Sequence, residues 1–182
     1  TELTKKKISL KLSSAVKQLS KEEGKWSLHI NDNEKESFDR VIVTTGGSPK
    51  KTGFDWLARI GHRIISPVPS LFTFNMPNEE IRRLMGVVAT NAQVKIEGTK
   101  IKTQGPLLIT HWGMSGPAIL KASSFGAREL AEKEYQFNIR VNWLEEFNAE
   151  QLFCLLNEIM EKSQQKLMIK YNPTTLPNRL WS

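Results

Sequence analysis

Val41, Ile42 and Val43 are three β-branched residues in succession, and Thr44-Thr45-Gly46-Gly47 closes the run with a polar pair and two glycines. β-Branched side chains favour extended backbone, and an unbroken apolar run is the pattern of a strand covered on both faces. Glycine lets the chain turn sharply where such a strand stops. The stretch 38–53 therefore predicts a buried strand that delivers the backbone to a tight turn. In open α/β sheets, ligands sit at the carboxyl ends of such strands. Thr45, Gly46 and Gly47 are candidate ligand-binding residues on that ground, and Lys50 beside them is a cation able to attract phosphate.

Around this stretch the apolar period changes. Ile8, Leu10 and Leu12 alternate with polar residues, as do Trp26, Leu28 and Ile30, with Val16 to Leu19 between them. Turn residues at Glu23-Gly24-Lys25 and Asp32-Asn33-Glu34 complete the pattern of a small antiparallel meander. Phe54 to Ile60 predicts a short helix ended by Gly61 as a left-handed cap. Pro67 and Pro69 fit poorly in a central strand and mark a linker or sheet edge.

Further on, Leu71 to Asn75, Val87-Val88, Val94 to Ile96, Ile101, Leu107 to Thr110, and Phe137 with Ile139 and Val141 predict short strands. Gly98 and Gly105-Pro106 are the expected turns, and the set suggests a mostly antiparallel barrel or sandwich. Asn148-Ala149-Glu150-Gln151 has the form of a capping box, and Leu152, Leu155, Leu156 and Ile159 recur at helical spacing. Cys154 is expected to pack within that helix. Gln164 to Tyr171 and Leu176 to Trp181 are expected to open further helices. The fold class is mixed α+β, in three parts: residues 1–62 with the meander, strand and short helix; 63–143, barrel-like with one helix; 144–182, helical.

A second candidate site interrupts the barrel strands at Thr110-His111-Trp112-Gly113-Met114-Ser115-Gly116. Pro117 suits the first helical turn, where a missing N–H costs nothing. Ser115 is the expected N-cap of a helix running to Leu130. Free amides at a helix start attract anions, which makes Ser115 and Gly116 candidate binding residues. His111 leaves a strand end beside that helix start and is the candidate proton-transfer residue. The competing reading is that Thr110, His111 and Ser115 tie the loop together by hydrogen bonds, with Trp112 and Met114 packed beneath it. His29 is expected at the surface and His62 at a helix end. No metal site is assigned.

The chain carries 26 basic and 19 acidic residues, a net charge of +7. Basic residues exceed acidic ones by 12 to 8 in residues 1–60 and by 10 to 6 in 61–143. The runs Lys5-Lys6-Lys7, Lys50-Lys51 and Arg82-Arg83 lie far apart, without the interleaved aromatic residues of a single-strand binding platform. They are read as solvated surface rather than as a nucleic-acid site, although a basic nucleic-acid-binding or scaffold module stands as the alternative function. No segment approaches the roughly 20 consecutive apolar residues of a membrane helix. The lone Cys154 suits a reducing cytoplasm.

Taken as an ordered set, Thr44-Thr45-Gly46-Gly47, Lys51-Thr52-Gly53, Ile60-Gly61-His62, Thr110-His111-Trp112-Gly113-Met114-Ser115-Gly116-Pro117-Ala118 and Leu176-Pro177-Asn178-Arg179-Leu180 resemble the BaiN-like or aminoacetone-oxidase-family flavoproteins. The resemblance implies a FAD-dependent oxidoreductase with NAD(P)H as a possible reductant and a small-molecule substrate of unknown identity. It also implies a barrel inserted between parts of a Rossmann-like FAD-binding domain. Thr45, Gly46 and Gly47 correspond to the strand end near the cofactor. No GxGxxG follows a strand in this sequence, so the chain is expected to be an internal section of a longer flavoprotein. Its partner would then be the rest of its own polypeptide, and it would bind no cofactor by itself.

Overall fold

Period-two alternation forms the first elements of the chain. The computed structural model describes residues 6, 8–32, 34–162 and 167–182, and the chain divides into two compact units, one up to Pro67 and one from Val68. In the first, β1 (Val16–Glu22), β2 (Lys25–Ile30) and β3 (Glu34–Phe38) form an antiparallel sheet in the order β1-β2-β3. Glu23 and Gly24, at φ 48° and 83°, supply the two left-handed residues that a tight hairpin turn demands. Glu22 accepts a hydrogen bond from Lys35 at 2.7 Å, and this bond holds its carboxyl below the ordinary range. Lys11 bridges Glu34 and Glu36.

Helix α1 (Asp55–Arg59) follows a 3-10 turn at Lys51–Phe54. It ends as the sequence predicts: Gly61 adopts φ 98°, its N–H donates to Ala58 O, and the His62 N–H donates to Leu57 O.

Two expected strands of this unit do not form. Residues 8–12 have no strand partner among the described residues, and Ile8, Leu10 and Leu12 are exposed. Val41, Ile42 and Val43 lie in irregular backbone, with Ile42 88% and Val43 45% exposed. β-Branched residues favour extended backbone, but a strand exists only through its ladder. The sheet ends at Phe38, and no described strand runs beside 41–43.

The second unit is built on β4 (Phe74–Asn75), β5 (Val88–Ile96), β6 (Lys102–Ile109), β7 (Gly113–Ser115) and β8 (Ile139–Asn142). These pair antiparallel in the order β4-β7-β6-β5-β8 as a curled half-barrel sheet, so the fold is mixed α+β. Where the sequence suggested several short strands, β5 and β6 are long, and Gly105-Pro106 lie inside β6 rather than in a turn. The β5–β6 register shifts between Ala89 and Ala92. This irregularity accommodates Gly105 at φ 140° and the missing N–H of Pro106.

Helix α2 (Pro117–Phe125) lies on this sheet and buries Ala118, Ile119 and Ala122 in a core with Val94, Ile96, Leu107 and Ile109. Small residues at 118 and 122 let the helix approach closely. The helix stops earlier than its sequence suggested. At Gly126 a Cβ would come within 2.9 Å of Ile101 Cδ1 and 3.2 Å of Ile96 Cδ1, and α3 (Ala127–Glu132) begins there.

Beyond β8, α4 (Ala149–Lys162) opens with the expected capping box: the Asn148 N–H donates to Gln151 Oε1 at 3.0 Å, and the Gln151 N–H to Asn148 Oδ1 at 2.8 Å. Cys154, expected inside, is exposed, because it lies on the side of the helix that carries the exposed Phe153. The helix expected over 164–171 falls partly outside the described residues, and its described part holds a 3-10 turn at Met168–Lys170. Helix α5 (Asn178–Trp181) forms as expected. Among the described residues no helix is long and apolar enough to cross a membrane.

Candidate functional site

The candidate residues fall into two groups, one in each unit. In the first, Thr45, Gly46 and Gly47 occupy exposed irregular backbone, and Gly46 takes φ 77°. A Cβ at Gly46 or Gly47 would meet nothing within 4 Å, so backbone amides there are open to approach. Ser48 shapes the following turn: its hydroxyl donates to Lys50 O at 3.0 Å and accepts from the Lys50 N–H at 3.2 Å. Lys50 is exposed and makes no ion pair among the described residues. Open amides beside a free ammonium fit the phosphate groups of a dinucleotide.

In the second unit, Thr110 to Gly113 turn the chain from β6 into β7. The Thr110 N–H donates to Gly113 O at 2.8 Å, the Gly113 N–H donates to Thr110 Oγ1 at 3.1 Å, and the Met76 N–H donates to Trp112 O at 2.8 Å. Thr110 thus ties the loop as expected. His111 and Ser115 make no side-chain hydrogen bond there among the described residues. The His111 ring is exposed and meets the edge of Trp112, with centroids 4.1 Å apart. Met114 is buried beneath the loop, whereas Trp112, expected beside it, is 41% exposed.

The helix cap also differs from expectation. Gly116, at φ 95°, is the N-cap of α2 and makes no side-chain cap bond, while Ser115 belongs to β7; Pro117 holds the first helical position as expected. A Cβ on Gly116 would lie 2.8 Å from Pro106 O and 3.0 Å from Leu108 N, so close packing on β6 selects glycine. Replacing Ser115 by Ala is accordingly expected to change stability by less than about 0.5 kcal/mol, against about 1 kcal/mol for a true cap; denaturant midpoints would measure it.

The structure also reveals that Gly113 is central to this loop. A Cβ there would stand 2.2 Å from Phe74 O and 2.9 Å from Met76 N. A glycine set in strand pattern is the sequence signal for such close backbone approach.

The family described as HI0933-like protein barrel and H2TH domain matches residues 68–182, the whole of the second unit. The chain belongs to the HI0933-like family. The Thr110–Gly116 loop lies within this HI0933-like region, and the Thr45–Lys50 turn precedes it. Ribosomal RNA dihydrouridine synthase of Escherichia coli (strain K12) is 28% identical over 133 residues, which take in 68% of this chain and 32% of that relative.

Proposed function

We propose that this chain is a middle section of a flavin-dependent oxidoreductase, with FAD as cofactor of the whole protein, NAD(P)H as its reductant and the cytoplasm as its place of work. The similarity to a dihydrouridine synthase over 68% of the chain carries this reading. Dihydrouridine differs from uridine by two hydrogens across one carbon–carbon double bond. Forming it takes a hydride and a proton, and no amino-acid side chain donates hydride. A redox cofactor must therefore supply it, and the protein contributes binding and orientation.

In this reading, Thr45, Gly46, Gly47 and Lys50 of the first unit are the phosphate-binding candidates, and, in the second unit, Ser115 and Gly116 are candidate ligand-binding residues and His111 handles the proton. The relative's name points to a pyrimidine of ribosomal RNA as substrate, which the excess of basic residues suits. The finer place in the BaiN-like or aminoacetone-oxidase branch rests on the ordered motifs from Thr44 to Leu180, and would make the substrate a small molecule instead.

Two measurements test the proposal. The purified full-length protein is expected to show a visible flavin absorbance band and to release FAD on denaturation; a colourless, FAD-free protein would overturn the redox reading. Ribosomal RNA from a strain lacking the gene is expected to lose dihydrouridine, and unchanged content would return the substrate to the small-molecule class.

A further inference from the structure

The first unit contains a groove of about 510 Å³ between β1 and α1. Lys17 and Lys21 from β1, Trp26 from β2, and Trp56, Arg59 and Gly61 from α1 and its cap line it. The volume falls within the roughly 300–1,000 Å³ of small-ligand sites. Both tryptophans are half-buried. Lys21 is the cross-strand partner of Trp26, and its ammonium stands 5.9 Å from the centre of that ring. Among the described residues no carboxylate lines the groove. Glu22, next in sequence, is held by Lys35 at 2.7 Å, and Lys17, Lys21 and Arg59 make no ion pair among the described residues.

We infer that this groove binds a segment of single-stranded RNA, with a base stacking on Trp26 or Trp56 and the flanking phosphates meeting Lys17, Lys21 and Arg59. Three cations without ion pairs among the described residues, beside two tryptophans, combine the two elements of sequence-tolerant strand binding, a positive channel and aromatic side chains. The fold creates this interleaving, because Trp56 and Arg59 come from a helix far along the chain from β1.

An added peptide strand is disfavoured. The sheet edge at the groove is β1, but its register shifts between Val16 and Gln18, around Lys17, and a bulge with lysines on an edge strand blocks strand addition. The choice of RNA over other single strands rests on the RNA-substrate reading above, whereas the charge and stacking argument stands without it.

The test uses the full-length protein and a labelled oligouridylate of about twelve nucleotides, followed by fluorescence anisotropy across a salt series. Lys21→Glu with Arg59→Glu, both at exposed positions, is expected to weaken binding at about 50 mM salt by roughly tenfold or more and to lower the log–log salt slope by about 1.4. Trp56→Ala is expected to weaken it roughly fivefold or more, with Trp56→Phe restoring most of the loss. Lys162→Glu, on α4, is expected to change it less than about twofold. Unchanged affinity in the charge-reversed protein would overturn the proposal, as would equal affinity for a polyglutamate peptide, which has charge but no bases. The readouts separate the two readings: if dihydrouridine persists in the deletion strain while the groove variants lose RNA, only the substrate reading fails. If wild type and groove variants bind RNA equally, only the groove fails.

Discussion

Gly113→Ala is expected to destabilise the second unit by about 3 kcal/mol, lowering its thermal midpoint by roughly 10 °C. The cost follows from what the added methyl would meet. Phe74 O, 2.2 Å from an ideal Cβ, and Met76 N, 2.9 Å away, are backbone atoms. Neither can rotate aside. Asn75 pairs with Gly113 in the β4–β7 ladder, and the Met76 N–H is bonded to Trp112 O, so relief requires the two strands to separate. Phe74 is itself a core residue, so separation would also open the apolar cluster. Gly53 offers the comparison. A Cβ there would approach Ser48 Oγ to 2.1 Å and Ser48 Cβ to 2.4 Å, but Ser48 lies in a turn outside any strand ladder, which can shift as a whole. Gly53→Ala is therefore expected to cost only about 1 kcal/mol. Chemical denaturation of the two variants checks the ordering, and equal losses would show that the β4–β7 approach relaxes without the strands separating.

That comparison marks where the sequence is readable. The Glu23-Gly24 hairpin turn, the Gly61 cap, the Asn148–Gln151 capping box and the position of Pro117 all depend on residues within about one helical turn of each other, and each forms as its local pattern implies. Features that depend on a distant partner were not legible. The β-branched run at 41–43 carries strand propensity, yet nothing in those residues says whether another strand lies alongside. Gly105-Pro106 have turn composition, but a register shift in β5 keeps them within a strand. Residues 8–12 show clean alternation but pair with no strand among the described residues.

The sites divide in the same way. Thr110 is a local loop tie and was identifiable. Ser115 has ordinary capping chemistry, but the backbone of Gly116, set by packing against Pro106 and Leu108, moves the cap one residue on. Trp56 and Arg59 sit in an unremarkable short helix, and only the tertiary fold puts them beside Lys17, Lys21 and Trp26.

His111→Ala in the full-length protein is expected to lower kcat by about a hundredfold while changing stability by less than about 0.5 kcal/mol. The two readings of this residue, proton transfer and loop tie, make opposite demands on the structure. A loop tie requires a bonded imidazole. The turn is instead held by Thr110, Gly113 and Met76, and the exposed His111 ring has only an edge contact with Trp112. Removing it leaves those bonds in place, so a large loss of turnover would have no structural source. Among the described residues no carboxylate pairs with His111, which leaves both ring nitrogens available to a substrate or to water. His111→Asn keeps a polar group of similar reach but cannot exchange a proton near neutral pH, and it is expected to match Ala in kcat. Recovery of activity in the Asn variant would make His111 a hydrogen-bonding residue, and full activity in both variants would remove it from the chemistry.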